Sequence, residues 1–109
     1  MRAVTVTIGR NIGDKPMDAE DWSGFTYRTR RAIEGAGVDL WATAPYKGLW
    51  EGVSEDAIVF YGALPGVKES DDNRRVRGLR ENLRNLASEY GQEAVGLTVG
   101  DNELIEAFA

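Results

Sequence analysis

The side chains that could do chemistry in this sequence are carboxylates, tyrosines and arginines, because the chain contains no cysteine and no histidine. Without cysteine there are no disulfides, thiolate nucleophiles or thiolate metal sites. Without histidine the chain lacks the residue that best transfers protons near neutral pH. The sequence therefore predicts no metal site and no cofactor. An enzyme that uses carboxylates or tyrosines stays chemically possible. However, no pair of residues in the sequence has the pattern of a catalytic site, so enzyme status is uncertain and we lean against it.

Two acidic pairs and one glycine-containing loop come closest to known site motifs. The pair at residues 55–56 is interpreted as a hairpin turn and the pair at 71–72 as a helix cap, since neither has the ligand spacing of a calcium loop. Residues 9–16 place glycines before a helix, as phosphate-binding loops do. However, Lys15 is followed by Pro16 instead of Ser or Thr, so we interpret this segment as a turn.

A basic patch is predicted on the second helix, where Arg77, Arg80 and Arg84 follow one another at helical spacing. Such a stripe can bind phosphates, which makes a nucleic-acid-binding module one alternative function. The net charge of −5 opposes general attraction to nucleic acid. Glu81 and acidic residues of the first helix could also pair with these arginines, so we favour a solvated, ion-paired face and disfavour nucleic acid as a partner.

Aromatic and β-branched residues on one predicted sheet face give the strongest indication of a contact surface, since this face is too apolar for ordinary solvated surface. We predict that a second copy of the chain covers it and forms a homodimer. A fold-back of residues 103–109 or of residues 46–50, a different partner and a small ligand are the alternatives. The predicted protein-interaction residues are Trp41, Thr43, Val59, Tyr61, Tyr46 and Trp50.

The elements that must position these residues follow from hydrophobic periodicity. Strands are predicted near residues 2–8, 38–44, 57–63 and 95–99, with amphipathic helices near 18–35 and 71–90. The order β-α-β-β-α-β predicts an α+β, ferredoxin-like fold, a four-stranded antiparallel sheet with two helices on one face. A chain of 109 residues is the size of one domain, so residues 1–109 are expected to fold as a single unit.

Local signals add detail to these elements. Asp18 is predicted to cap the first helix, and the chain is expected to bend or bulge at Pro45 and to turn near residues 54–56. The residues expected to face the helices and form the core are Val4, Val6, Ile8, Leu40, Ala42, Ile58, Phe60, Val95, Leu97 and Val99.

Three segments carry a resemblance to known proteins. They are residues 4–11, 49–52 and 90–95, with the sequences VTVTIGRN, LWEG and YGQEAV. The segments resemble small α+β proteins of actinobacteria and their bacteriophages, of the domain-of-unknown-function type. The resemblance implies the fold and a phage origin and gives no residue a role. Residues 90–95 also resemble a junction in a family often found in secreted proteins, whereas no export signal follows Met1.

The leading hypothesis from the sequence is a non-enzymatic protein-interaction module, homodimeric, acting as a phage accessory protein on host or phage proteins. One alternative is a small-molecule-binding protein or an enzyme of dimeric α+β-barrel type, with its pocket between two sheets. The other alternative is the nucleic-acid-binding module. Because no apolar run is long enough for a membrane span or a signal-peptide core, we expect no membrane partner and a cytoplasmic location, in the host if the protein is from a phage.

Overall fold

The computed structural model describes residues 2–66 and 68–101, without the side chains of Trp50 and Asp101. Six strands and two helices follow one another in this part of the chain: β1 (Arg2–Gly9), β2 (Asn11–Ile12), β3 (Lys15–Pro16), α1 (Ala19–Gly35), β4 (Asp39–Trp50), β5 (Val53–Leu64), α2 (Glu69–Glu89) and β6 (Gly96–Asp101). None of the described helices is both long and apolar enough to cross a membrane.

The main sheet is antiparallel and has the strand order β4-β5-β1-β6. Strict alternation in β1 puts Val4, Val6 and Ile8 on the face that carries the helices, where all three are buried. The other face, which we call the open face, carries Thr5 and Thr7 together with their cross-strand partners. The ferredoxin-like prediction is confirmed, with β4 and β6 as the two edges of the sheet.

Both helices pack on the sheet through one apolar stripe each. Phe25 and Ile33 of α1 and Leu79 and Leu83 of α2 are buried in the same cluster as the apolar residues of β1. The predicted cap of α1 is confirmed, since the backbone N–H of Asp21 donates to Oδ1 of Asp18 at 2.8 Å.

The β4–β5 hairpin turns at a place that the sequence analysis missed. Glu51 and Gly52 both have positive φ, of 50° and 80°, which is the two-residue turn that matches the twist of paired strands. Residues 54–56, predicted as the turn, instead pair within β5 opposite residues 47–49 of β4. The prediction was wrong because their polarity reflects a solvent-exposed end of the hairpin beyond the central sheet.

A bulge in β4 exchanges the faces of two residues. The register shifts between Leu40 and Ala42, and Trp41 is left without a partner. One extra residue reverses the alternation that follows it, so Ala42 lies on the open face and Thr43 lies on the helix side. The predicted placement of Ala42 in the core and Thr43 on the open face is therefore wrong, and the bulge lies before Pro45.

The start of α2 also differs from the prediction. The helix begins at Glu69 after Lys68, whose side chain makes no capping hydrogen bond. The acidic pair at 71–72 therefore does not cap the helix, and Asp72 is buried in its first turn with 2% of its surface exposed. Residues 9–16, predicted as a turn, contain the small β2–β3 hairpin with Gly13 at φ 64°.

Arg10 fastens the β4–β5 hairpin to the end of β1. Its backbone N–H donates to the carbonyl oxygen of Asp56 at 2.9 Å, and its Nε donates to the carbonyl oxygen of Met17 at 2.8 Å. The Asp56 carboxylate also pairs with Lys47 and lies 3.7 Å from the Arg10 guanidinium. The hydrogen bond and charge of Lys47, followed by the charge of Arg10, hold the pKa of Asp56 below its ordinary value of 3.8.

We expect Asp56→Asn to lower the free energy of unfolding near pH 7 and to have little effect near pH 2. The pKa of Asp56 is lower in the folded state, so the stability it contributes is present above pH 3.8 and is lost as the pH falls through the folded-state value. Urea unfolding of wild type and variant across this range measures the difference. Lys47→Met should show the same pH dependence, and a difference that stays constant with pH would contradict the assignment.

Gly62 and Gly78 form a matched pair for testing the packing of the sheet. A Cβ at Gly62 would overlap the carbonyl oxygen of Asp39 and lie 2.8 Å from Cγ1 of Val38, whereas a Cβ at Gly78 on α2 meets open space. We expect Gly62→Ala to cost about 1–3 kcal/mol of stability through overpacking. Gly78→Ala should add about 0.5–1 kcal/mol through helix propensity. Urea unfolding of both variants tests the opposite signs.

Candidate functional site

A cleft of about 430 Å³ opens on the open face of the sheet, at the end of β1. Its walls are the end of β1, the β2–β3 turn, the tip of the β4–β5 hairpin and residues 92–96. Four carboxylate side chains line it, and no lysine or arginine of the described chain does so. We call it the acidic cleft, and its four carboxylates belong to Asp14, Glu51, Glu55 and Glu93.

Hydrogen bonds of Asn11 join three of the segments that form the acidic cleft. The backbone N–H of Asn11 donates to Oε2 of Glu55 at 2.9 Å, which ties the β2 strand to the hairpin. The side-chain Nε2 of Gln92 donates to the carbonyl oxygen of Asn11 at 2.9 Å, which ties the segment after α2 to the same strand. Asn11 is therefore the point where the walls of the cleft meet.

Gly9 lets the Glu55 carboxylate lie flat against the backbone of β1. A Cβ at this position would lie 2.6 Å from the Cδ and from both carboxylate oxygens of Glu55, closer than real Cβ contacts. A residue with any side chain would therefore displace the carboxylate. Because Glu55 is also half-buried and accepts the Asn11 hydrogen bond, its charge is held at a fixed place in the cleft.

The end of α2 positions residues 92–96, which form the last of the four walls of the acidic cleft. Tyr90 stacks on the buried ring of Phe25 with 4.9 Å between ring centroids, and Arg28 lies over the Tyr90 ring at 5.6 Å. Arg28 also pairs with Glu89 at 2.8 Å, which raises the pKa of Arg28 and lowers the pKa of Glu89. Gly91 then ends the helix with φ 69°, so the chain turns directly into the cleft at residue 92.

The arrangement suits an organic cation. Several carboxylates without a lining cation create a negative potential in a partly enclosed space, where it is screened less than on an open surface. Val53, Ala94 and Val95 add apolar surface to the same walls. Within the described residues no three acidic side chains come close enough together to hold a metal ion.

The predicted protein-interaction residues whose side chains the structure describes lie outside the acidic cleft. Val59 and Tyr61 are on the open face, and Val59 is buried with 8% of its surface exposed. Trp41, Tyr46 and Tyr61 expose 54%, 42% and 45% of their surface. Thr43 lies on the helix side of the sheet, because the bulge reverses the alternation that follows it. The side chain of Trp50 lies outside the described residues.

The predicted basic patch is present on α2, where Arg77, Arg80 and Arg84 are all exposed. Arg84 pairs with Glu81 at 2.8 Å. Arg77 and Arg80 pair with no carboxylate in the described part of the chain, so the predicted ion-paired face is only partly present. Of the acidic residues on α1 expected nearby, Glu34 pairs within its own helix.

Sequence reasoning missed the acidic cleft, although one signal pointed to it. Each of the three segments that carry the resemblance contributes to its walls: residues 4–11 supply Gly9 and Asn11, residues 49–52 supply Glu51, and residues 90–95 supply Gln92 and its neighbours. Glu55 lies outside these three segments, and the sequence analysis interpreted it as part of a turn.

No protein-family model and no curated protein matches the chain. Two solved structures of phage SAM lyase are similar to it. The structure in complex with S-methyl-5′-thioadenosine has a TM-score of 0.65 and 20% identity, and the match covers 92% of this chain and 80% of that chain. The apo structure has a TM-score of 0.60 and 21% identity, with coverage of 96% and 92%. At this identity the likeness shows a shared fold.

These similarities correct the leading sequence hypothesis. Both similar structures are of an enzyme, which contradicts the non-enzymatic interaction module and favours the alternative of a small-molecule-binding protein or enzyme. The sequence left enzyme status uncertain and leaned against it, whereas the enzyme structures that share the fold favour the opposite interpretation. The resemblance to phage proteins is supported in its coarser form, because both structures are of phage proteins, while actinobacterial origin stays a prediction.

Proposed function

We propose that this chain is an enzyme that binds S-adenosylmethionine (SAM) in the acidic cleft and cleaves it to S-methyl-5′-thioadenosine. The observation that carries the proposal is the set of four carboxylates lining one cleft, in a chain whose fold matches that of phage SAM lyase. The fold alone would not suffice, since one fold hosts many functions.

The charge of the cleft fits the charge of this substrate. SAM carries a positive sulfonium, whereas S-methyl-5′-thioadenosine is a neutral thioether. The carboxylates of Glu51 and Glu55 therefore attract the substrate more strongly than the product. Apolar surface from Val53, Ala94 and Val95 is available for the uncharged part of the molecule. This difference in charge favours binding of SAM before cleavage and release of S-methyl-5′-thioadenosine after it.

The bond that breaks joins the sulfonium sulfur to the four-carbon amino acid fragment. Both electrons of the bond stay on sulfur, which becomes neutral. Because a lyase adds no water, the carbon that sulfur leaves must gain a new bond from within the fragment. Either the adjacent carbon gives up a proton to a carboxylate of the cleft and a C=C bond forms, or the fragment's own carboxylate forms a C–O bond to that carbon and closes a lactone. Neither route needs a metal or a histidine, so the residue types of this chain are sufficient.

A phage origin and a cytoplasmic location also belong to this proposal. SAM is a metabolite of the cell interior, so an enzyme of this kind would meet its substrate in the cytoplasm of the host. Support for the origin comes from the phage proteins that share the fold.

Incubation of the purified chain with SAM should yield S-methyl-5′-thioadenosine, detected by liquid chromatography. We expect Glu55→Gln to weaken SAM binding by about fivefold or more, because the substitution removes a fixed charge and keeps the acceptor for the Asn11 N–H. Binding of S-methyl-5′-thioadenosine should change little, since this ligand is neutral. Calorimetry of both ligands measures the two affinities.

Glu20→Gln is the matched control, because Glu20 is exposed on α1 and outside the cleft. It should leave both affinities unchanged. If Glu55→Gln weakens the two ligands equally, the charge argument is wrong. If the wild-type chain neither binds SAM nor forms the thioether product, the proposed function is wrong.

We also propose that the chain self-associates through the exposed residues of the open face. Tyr61 and Trp41 expose about half of their surface there, and large exposed aromatic residues favour contact surfaces. Tyr61→Glu should then reduce the mass measured by light scattering to that of a single chain. Circular dichroism checks that the variant is folded, and a folded variant that assembles like wild type would exclude this face.

A further inference from the structure

A basic groove lies between α2 and the edge strand β6 on the helix side of the sheet, and Val95 is the one residue that it shares with the described lining of the acidic cleft. Two adjoining cavities that share Arg80 and Leu97 form it. Arg77 and Val99 line one end, whereas Arg84 and Val95 line the other. The helix and the strand therefore run alongside each other. We call this feature the arginine groove; its residues are Arg2, Arg77, Arg80, Arg84, Val95, Leu97 and Val99.

The apolar floor of the groove is incompletely covered. Val95, Leu97 and Val99 pack against the core but are only half-buried, because β6 lies at the margin of the sheet and α2 does not extend over it. Ordinary edge strands are protected by charge, proline or a covering element. Arg77, Arg80 and Arg84 of α2 line the cavities beside this edge, together with Asn73, Val76 and Leu83 of the same helix.

The backbone of β6 can accept a further strand. The strand pairs with β1 on one side and with no other described strand. In an antiparallel ladder, alternate residues point their N–H and C=O groups to the other side, where they are available for a new pairing. The described part of β6 contains no proline and no register shift that would prevent it.

The charge of the groove is not balanced within the described chain. Arg77 and Arg80 have no carboxylate partner there, and Arg2 donates to the neutral side chain of Asn73. Arg84 pairs with Glu81, and Asp101, whose side chain lies outside the described residues, stands opposite Arg2 in the ladder. Among the described side chains, a protein with a net charge of −5 thus places Arg77 and Arg80 along one sheet edge without a carboxylate partner.

We propose that the arginine groove binds an extended acidic segment of a partner protein, which adds a strand to β6. Main-chain hydrogen bonds to β6 supply affinity, and the side chains on the α2 side supply specificity. Helical rise spreads Arg77, Arg80 and Arg84 over roughly 10 Å, and alternate strand residues are about 6.8 Å apart. Two or three glutamates at alternate positions therefore match the arginines, with their stems on Leu97 and Val99.

These observations favour a peptide over nucleic acid. Nucleic-acid surfaces use aromatic side chains for stacking, whereas the described lining of this groove contains no aromatic residue. The edge of β6, unpaired among the described strands, also offers hydrogen bonds that a peptide backbone can complete and a phosphate backbone cannot. The proposal is independent of the proposed function, because none of the arginines lines the acidic cleft.

The test uses the full chain and a fluorescein-labelled octapeptide of alternating Glu and Thr, with fluorescence anisotropy as the readout. We expect saturable binding that weakens with salt and falls at least about tenfold in Arg80→Glu. Arg31→Glu is the matched control, because Arg31 is exposed on α1 and outside the groove. This control should bind like wild type. The same peptide with a fully N-methylated backbone should lose binding.

Five results would overturn the proposal. The first is no binding by wild type up to about 1 mM peptide, and the second is equal binding by the Arg80 and Arg31 variants. Undiminished binding of the N-methylated peptide would show that charge alone, without main-chain hydrogen bonds to β6, accounts for the binding. Tighter binding of a single-stranded oligonucleotide with the same dependence on Arg80 would assign the groove to nucleic acid. A full-length Glu103→Lys/Glu106→Lys variant that binds where wild type does not would assign it to the chain's own end.

Discussion

The alternation of β1 is the constraint on which the rest of the structure depends. Val4, Val6 and Ile8 must be buried on one face, which draws both helices to that side and leaves the threonines on the other. The consequence is a two-sided molecule with separate surfaces. The acidic cleft forms where β1 ends on the open face, and the arginine groove forms on the helix side.

Much of the fold could be predicted because its signals are local. The strands alternate, the helices have apolar stripes, and Asp18 makes the capping bond that its position predicts. The bulge at Trp41 could not be predicted, since one inserted residue changes pairing without changing composition. The same holds for the turn at Glu51, because glutamate is an unusual residue at a position with positive φ.

The acidic cleft was harder to predict because no single segment contains it. Glu55 becomes a site residue only when Gly9, far away in the sequence, leaves room for its carboxylate. Asn11 and Gln92 complete the arrangement through bonds between the same distant segments. Such couplings depend on sheet order and exact register, which single-sequence reasoning does not fix. The three segments that carry the resemblance contribute to the walls of the cleft, but the resemblance did not indicate what those walls bind.

The central position of β1 also affects how the chain acquires its structure during synthesis. β1 is synthesised before the other described elements, yet both of its neighbours, β5 and β6, come from much later parts of the chain. The β4–β5 hairpin can form early because its strands are adjacent in sequence, whereas β1 must wait with its valines unpaired. Long-range pairing of this kind slows folding and prolongs exposure of an apolar segment to aggregation. The nascent chain is therefore most vulnerable before β5 is complete.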